Sequence, residues 1–182
     1  MRRAPLALVA VFSFGGCSPD EPDPEPEVPD LAYCDAVASW APDAAAFERE
    51  VLEQINEARA LGGSCGGDED LPASEPLSMA PALRCAARKH TLGMIDGDYF
   101  AHASPDGETY IERVALAEYA GEPLGESIAG GSPDPTKVVT TWLNHDGNCA
   151  TLLNPEATEL GVGYLPASGV TYEHYWTVVF GR

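Results

Sequence analysis

The chain is poor in positive charge: Lys and Arg together number 10 against 29 Asp and Glu, a formal net charge of −19. Such a surface repels phosphate backbones and anionic headgroups, which excludes nucleic acid as a partner. The sequence also lacks any apolar run long enough to span a bilayer; the longest, Leu6 to Phe14, falls well short of a membrane helix. It has no C-x-x-C pair, so a structural zinc knot is the weaker use for its cysteines. Histidine is scarce at four residues, and no internal repeat is visible.

The opening residues read as an export signal. Arg2 and Arg3 precede the apolar stretch, which closes on Phe14-Gly15-Gly16-Cys17. Small residues just before a cysteine resemble a bacterial lipobox, in which Cys17 becomes a diacylated N-terminus. The acyl chains would supply the membrane anchor, at about 0.8 kcal/mol per buried CH₂. Ser18 after that cysteine favours the outer membrane or cell surface by the usual sorting rule. From Ser18 to Asp30 come five prolines and six acids in thirteen residues. That tract cannot bury apolar surface, and polyproline II geometry would extend it to roughly 40 Å at about 3.1 Å per residue. The expected organisation is a signal over 1–17, an acidic Pro-rich stalk over 18–42 and one globular domain over 43–182.

Setting Cys17 aside leaves Cys34, Cys65, Cys85 and Cys149, an even number in an oxidising compartment. Two disulfides are the simplest outcome, with three possible pairings.

The pattern predicts helices first and strands last, an α+β domain. A helix over Asp43 to Leu61 carries Phe47, Val51 and Ile55 on one stripe and stops at Gly62-Gly63. A second is predicted from Ser78 or Met79 to Asp96, a third over Glu108 to Glu118, and a fourth from Asp134-Pro135 through Leu143. Gly121 to Asp134 reads as irregular. Leu160 to Leu165 and Val170 to Phe180 read as strands joined by the four residues from Pro166 to Gly169.

Several motifs lie in a fixed order: Asn56-Glu57-Ala58-Arg59, Leu83 through Met94, Tyr99-Phe100-Ala101-His102 with Pro105-Asp106-Gly107, Gly125-Glu126-Ser127-Ile128-Ala129, and Trp142 to Pro155. Thr158 to Gly163 and Tyr175 to Gly181 complete the series. From Val51 to Gly181 the chain resembles the CAP superfamily of cysteine-rich secretory proteins, antigen 5 and pathogenesis-related proteins. The resemblance implies an α-β-α sandwich with a small antiparallel sheet and an additional early strand. It implies the pairings Cys34–Cys85 and Cys65–Cys149. It also implies a cleft with two His and two acids, where His102 and Glu126 match one of each. Such a set could hold a divalent metal such as zinc. Where the family has the second His this chain has Asn148, which offers no imidazole nitrogen. His145, three residues earlier, is the one nearby substitute, and the second acid has no counterpart. His90 and His174 read as core histidines. Gly125 to Ala129 falls short of a nucleophile elbow, since its last position is not glycine.

With the tetrad incomplete, the expectation is a binding module for a lipid, a sterol or an envelope protein. A metal-dependent hydrolase of peptide or cell-wall material acting through His102 and Glu126 is the alternative.

Overall fold

The computed structural model describes residues 28–66 and 70–182. Cys17 and residues 18–27 of the expected stalk lie outside them. The elements are α1 (Asp35–Ala38), α2 (Pro42–Leu61), β1 (Gly63–Ser64), β2 (Asp70–Leu71), β3 (Ser78–Met79) and α3 (Pro81–Asp96). They continue with α4 (Tyr110–Leu116), β4 (Pro123–Gly130), α5 (Pro135–Leu143), α6 (Asp146–Leu152), β5 (Glu159–Pro166) and β6 (His174–Gly181). The main sheet has the order β3-β5-β6-β4, with β3 parallel to β5 and the other pairs antiparallel. Helices cover both faces, the α+β sandwich that the motifs implied.

Strand alternation divides the interior in two. Leu160, Val162, Trp176, Val178 and Phe180 point to one side, against Val51, Ile55, Trp142 and Leu152 of α2, α5 and α6. The other side of β5 is nearly bare, because Gly161 and Gly163 stand there. A Cβ on Gly161 would lie 2.0 Å from the Leu83 carbonyl carbon, and one on Gly163 would lie 2.6 Å from that of Ala87. The two glycines therefore let the backbone of α3 lie directly on the sheet. Around α3, Cys34, Val37, Val114 and Val179 form a second buried cluster.

The Asn56/Arg59 pair on α2 works as a clamp on loops. Asn56 pairs with Leu77 through both its amide oxygen and nitrogen, at 2.7 and 3.0 Å, as a neighbouring strand would. Arg59 is 1% exposed and donates to the carbonyls of Glu75, Leu152, Asn154 and Ala157. Its fork satisfies the otherwise open end of α6 and fixes the entry into β5.

Two disulfides join the elements, Cys34–Cys85 from the α1 segment to α3, and Cys65–Cys149 from the segment after β1 to α6. They are the same two links that the resemblance implied.

Several boundaries differ from the sequence reading. The packed unit begins well before residue 43, for Cys34 and Val37 are fully buried, and Arg88 lies 4.7 Å from the Trp40 ring centroid. The expected boundary at 42/43 thus lies too late; burial of Val37 and the Cys34–Cys85 disulfide override a locally polar sequence. Pro42, not Asp43, opens α2, and Asp43 sits in the first turn, where its charge meets the helix dipole. Ser78 and Met79 are not helical. They add a short parallel edge to β5, with Ser78 N–H donating to the Thr158 carbonyl and Ala80 N–H to that of Leu160. Most of the segment read as irregular is β4, which pairs with β6 along its length. The hairpin loop is longer than four residues, because β6 starts only at His174. A separate helix, α6, follows His145.

Candidate functional site

The register of β4 fixes which way its polar pair points. Glu126 lies opposite Val179, which lies opposite Gly161, so the Glu126 side chain is on the α3 face. Ser127 lies opposite Val178 and faces the other core. Glu126 is buried, with its side chain 1% exposed. Its Oε1 accepts from His102 Nδ1 at 2.9 Å, and its Oε2 from Arg113 Nη2 at 2.8 Å. The carboxylate has no proton to give, so Nδ1 carries the hydrogen and the lone pair of neutral His102 sits on Nε2. His102 belongs to the turn-rich loop after α3, and its side chain is 59% exposed. A buried carboxylate thus orients a half-open imidazole.

Arg113 on α4 holds the arrangement from behind. It is 1% exposed and also donates to the His102 carbonyl at 2.9 Å and the Glu108 carbonyl at 3.0 Å. Glu112 fixes the start of α4 by accepting from Thr109 N–H at 2.7 Å. His90 of α3 donates from Nε2 to the Ala101 carbonyl at 2.9 Å and lies 3.9 Å from Glu126 Oε1. Its Nδ1 is buried with no partner. His90 is thus the hydrogen-bonded core residue expected, but it stands directly behind the site.

The two histidines shift in opposite directions. The hydrogen bond to Glu126 raises His102 above its ordinary range. Burial lowers His90 from 6.5 to about 4, with the Glu126 charge opposing the fall. A proton on His90 Nδ1 would have no acceptor. His102 therefore adds stability below pH 6.5 that is lost as pH rises through its raised value. His90 does the reverse: protonation favours the unfolded chain, so stability falls from pH 6.5 through about 4, by about 3 kcal/mol in all. Imidazole titration by NMR should show one resonance moving above the ordinary midpoint and one not moving until well below it. In Glu126→Gln the upper midpoint should drop back. An unchanged midpoint in that variant would separate His102 from the carboxylate.

The other sequence candidates are placed elsewhere. His145 is exposed at the start of α6 and its Nδ1 bonds the Thr141 carbonyl at 2.7 Å. Asn148 is half-buried on α6. Among the described residues, no hydrogen bond joins either of them to His102 or Glu126. His174 bonds the Tyr164 hydroxyl at 2.9 Å. Ser127 Oγ is buried without a partner on the far face of the strand, so it cannot serve as a nucleophile for His102. The His102–Glu126 pair leaves few donors for a divalent metal. Both Glu126 oxygens are engaged, a guanidinium lies against one of them, and His102 offers a single nitrogen. No cluster of three or more metal-type ligands occurs among the described residues.

A family model described as the cysteine-rich secretory protein family, CAP, matches residues 52–180. The chain belongs to that family. Over 135 residues this CAP chain is 30% identical to an uncharacterized Bacillus subtilis protein, YkwD, covering 74% of the chain and 47% of YkwD. The chain therefore spans about half the length of that relative. An SCP-domain extracellular protein from Bacillus anthracis superposes with a TM-score of 0.58 at 26% identity, over 79% of this chain and 44% of that one. An outer surface protein of Borrelia burgdorferi gives 0.59 at 18% identity, over 77% and 92%. At that identity the Borrelia protein speaks for the fold alone.

Sequence patterns do not single out Arg113. The only trace it leaves is a basic residue beside Val114 on a short helix in a chain with few basic residues. Four of them, Arg59, Arg84, Arg88 and Arg113, are buried.

Proposed function

We propose that this CAP domain is an exported binding module, anchored through Cys17 in the bacterial envelope, and that it does not hydrolyse its ligand. The observation that carries the reading is the closed pairing of Glu126. His102 and Arg113 together use both of its oxygens, so the acid is a positioning group for the imidazole. His102 could itself act as a base through Nε2, but a hydrolase would also need a metal or a nucleophile beside it. The nearest hydroxyl in the strand, Ser127, faces away. What remains outward is one imidazole with a raised affinity for protons, suited to a polar contact with a ligand.

The acidic stalk and the lipobox support display at the outer membrane or cell surface, and the extracellular Bacillus anthracis relative agrees with export. The ligand classes that fit the family are a lipid, a sterol or an envelope protein.

Calorimetric titration of zinc into the wild type and His102→Ala tests the reading. The expected result is no micromolar binding to either protein. Micromolar binding by the wild type that is lost in His102→Ala would overturn it, as would peptide or cell-wall hydrolysis that disappears with the same substitution.

A further inference from the structure

On the face of the sheet away from His102, α2 and α5 leave a groove of about 520 Å³ between them. It continues past the end of α2 into a hollow of about 250 Å³ over α6. Both share Ala58, Leu61 and Leu143 in their walls. Val139 and Leu143 supply an apolar floor, and Leu153 extends it. Leu61 stands at the junction 85% exposed, the most exposed of the large apolar side chains among the described residues. Gln54 crosses the groove from Glu50 Oε1 to Thr136 Oγ1, both at 3.0 Å, and holds its walls in place.

Along one wall run Glu50, Glu53 and Glu57, spaced three and four residues apart on the open side of α2. Glu53 and Glu57 are exposed and enter no ion pair among the described residues. Apolar floor and acidic rim together define the occupant. A second copy of this chain, at net −19, would meet like charge there. So would its own acidic Ser18 to Asp30 tract, and so would the carboxylate of a fatty acid.

We propose that this groove docks a basic amphipathic helical segment of a partner protein. Leucine-type anchors on one helical face would lie on Val139, Leu143 and Leu61, with lysine or arginine against Glu53 and Glu57. The proposal rests on the binding-module reading but not on the His102 site, which lies on the other face of the sheet.

The test uses the full chain with Cys17→Ser and a fluorescent leucine–lysine peptide with leucines at helical spacing. Anisotropy at physiological salt should show saturable binding. Leu61→Ser and the pair Glu53→Gln/Glu57→Gln should each weaken it about tenfold. The pair Glu118→Gln/Glu173→Gln, with the same charge change elsewhere, and His102→Ala should leave it unaltered. Equal weakening by both glutamate pairs would mean diffuse attraction and would overturn the proposal. So would a wild type that takes up a fluorescent fatty acid in the groove but not the peptide. Either failure would leave the reading of His102 standing, because zinc titration and the hydrolysis assays judge that separately.

Discussion

Replacing Glu48 by alanine should come close to unfolding the domain. Glu48 is fully buried between α2 and α3. Its carboxylate accepts from Arg84 Nε and Nη2 at 3.0 and 2.8 Å, and from Arg88 Nη2 at 2.6 Å. It also accepts the Tyr164 N–H of β5 at 3.2 Å. One acid thus ties α2 to α3 and to the sheet. Removing it takes away the carboxylate that two buried guanidinium groups share. Breaking a buried pair by deleting one partner costs about 3–5 kcal/mol, and here one deletion breaks two such pairs. Set against a total of about 5–15 kcal/mol for a domain, little stability would remain. Urea denaturation would measure it. The triple replacement Glu48→Leu/Arg84→Met/Arg88→Met should recover much of the loss, because the desolvation cost disappears together with the pairing. A loss below about 1 kcal/mol in the single variant, as for a surface pair, would sink the argument.

Arg113→Met should be the next most damaging change, and it should alter His102 as well. The buried guanidinium satisfies Glu126 Oε2 and two carbonyls. Its loss should cost about 3–5 kcal/mol, seen as a lower urea midpoint at an unchanged slope. The charge of Arg113 also pulls the His102 pKa down, against the rise caused by Glu126. A folded Arg113→Met protein should therefore titrate His102 higher than wild type, opposite to Glu126→Gln. A purely structural role for Arg113 would change stability and leave that midpoint alone. Arg113→Lys should recover only part of the stability, since an ammonium cannot serve three acceptors in fixed directions.

The candidate site was only partly legible. His102 and Glu126 stand out because their motifs are local in sequence, and the structure joins them at 2.9 Å. Arg113 and His90 were not legible as neighbours of Glu126, because their meeting depends on the β4 register and on how closely α3 lies on β5. The same holds for Glu48, which looks like one more acid on a charged helix until Arg84 and Arg88 arrive from 36 and 40 residues away.

The sequence alone determined the charge, the α+β class and the helices α2, α3 and α5. Periodic apolar positions and local signals such as the Asp134 cap specify those within a few residues, and such information is local. Only the tertiary structure decided that Gly121 to Asp134 holds a strand, that Ser78-Met79 leaves α3 for the sheet, and that residues before 42 join the core. Each of these segments is too short or too polar to show a pattern of its own. Each is stabilised by hydrogen bonds and burial that a distant part of the chain supplies. The site follows the same division: the sequence supplied its imidazole and carboxylate, while folding supplied the buried arginine that occupies the carboxylate's second oxygen.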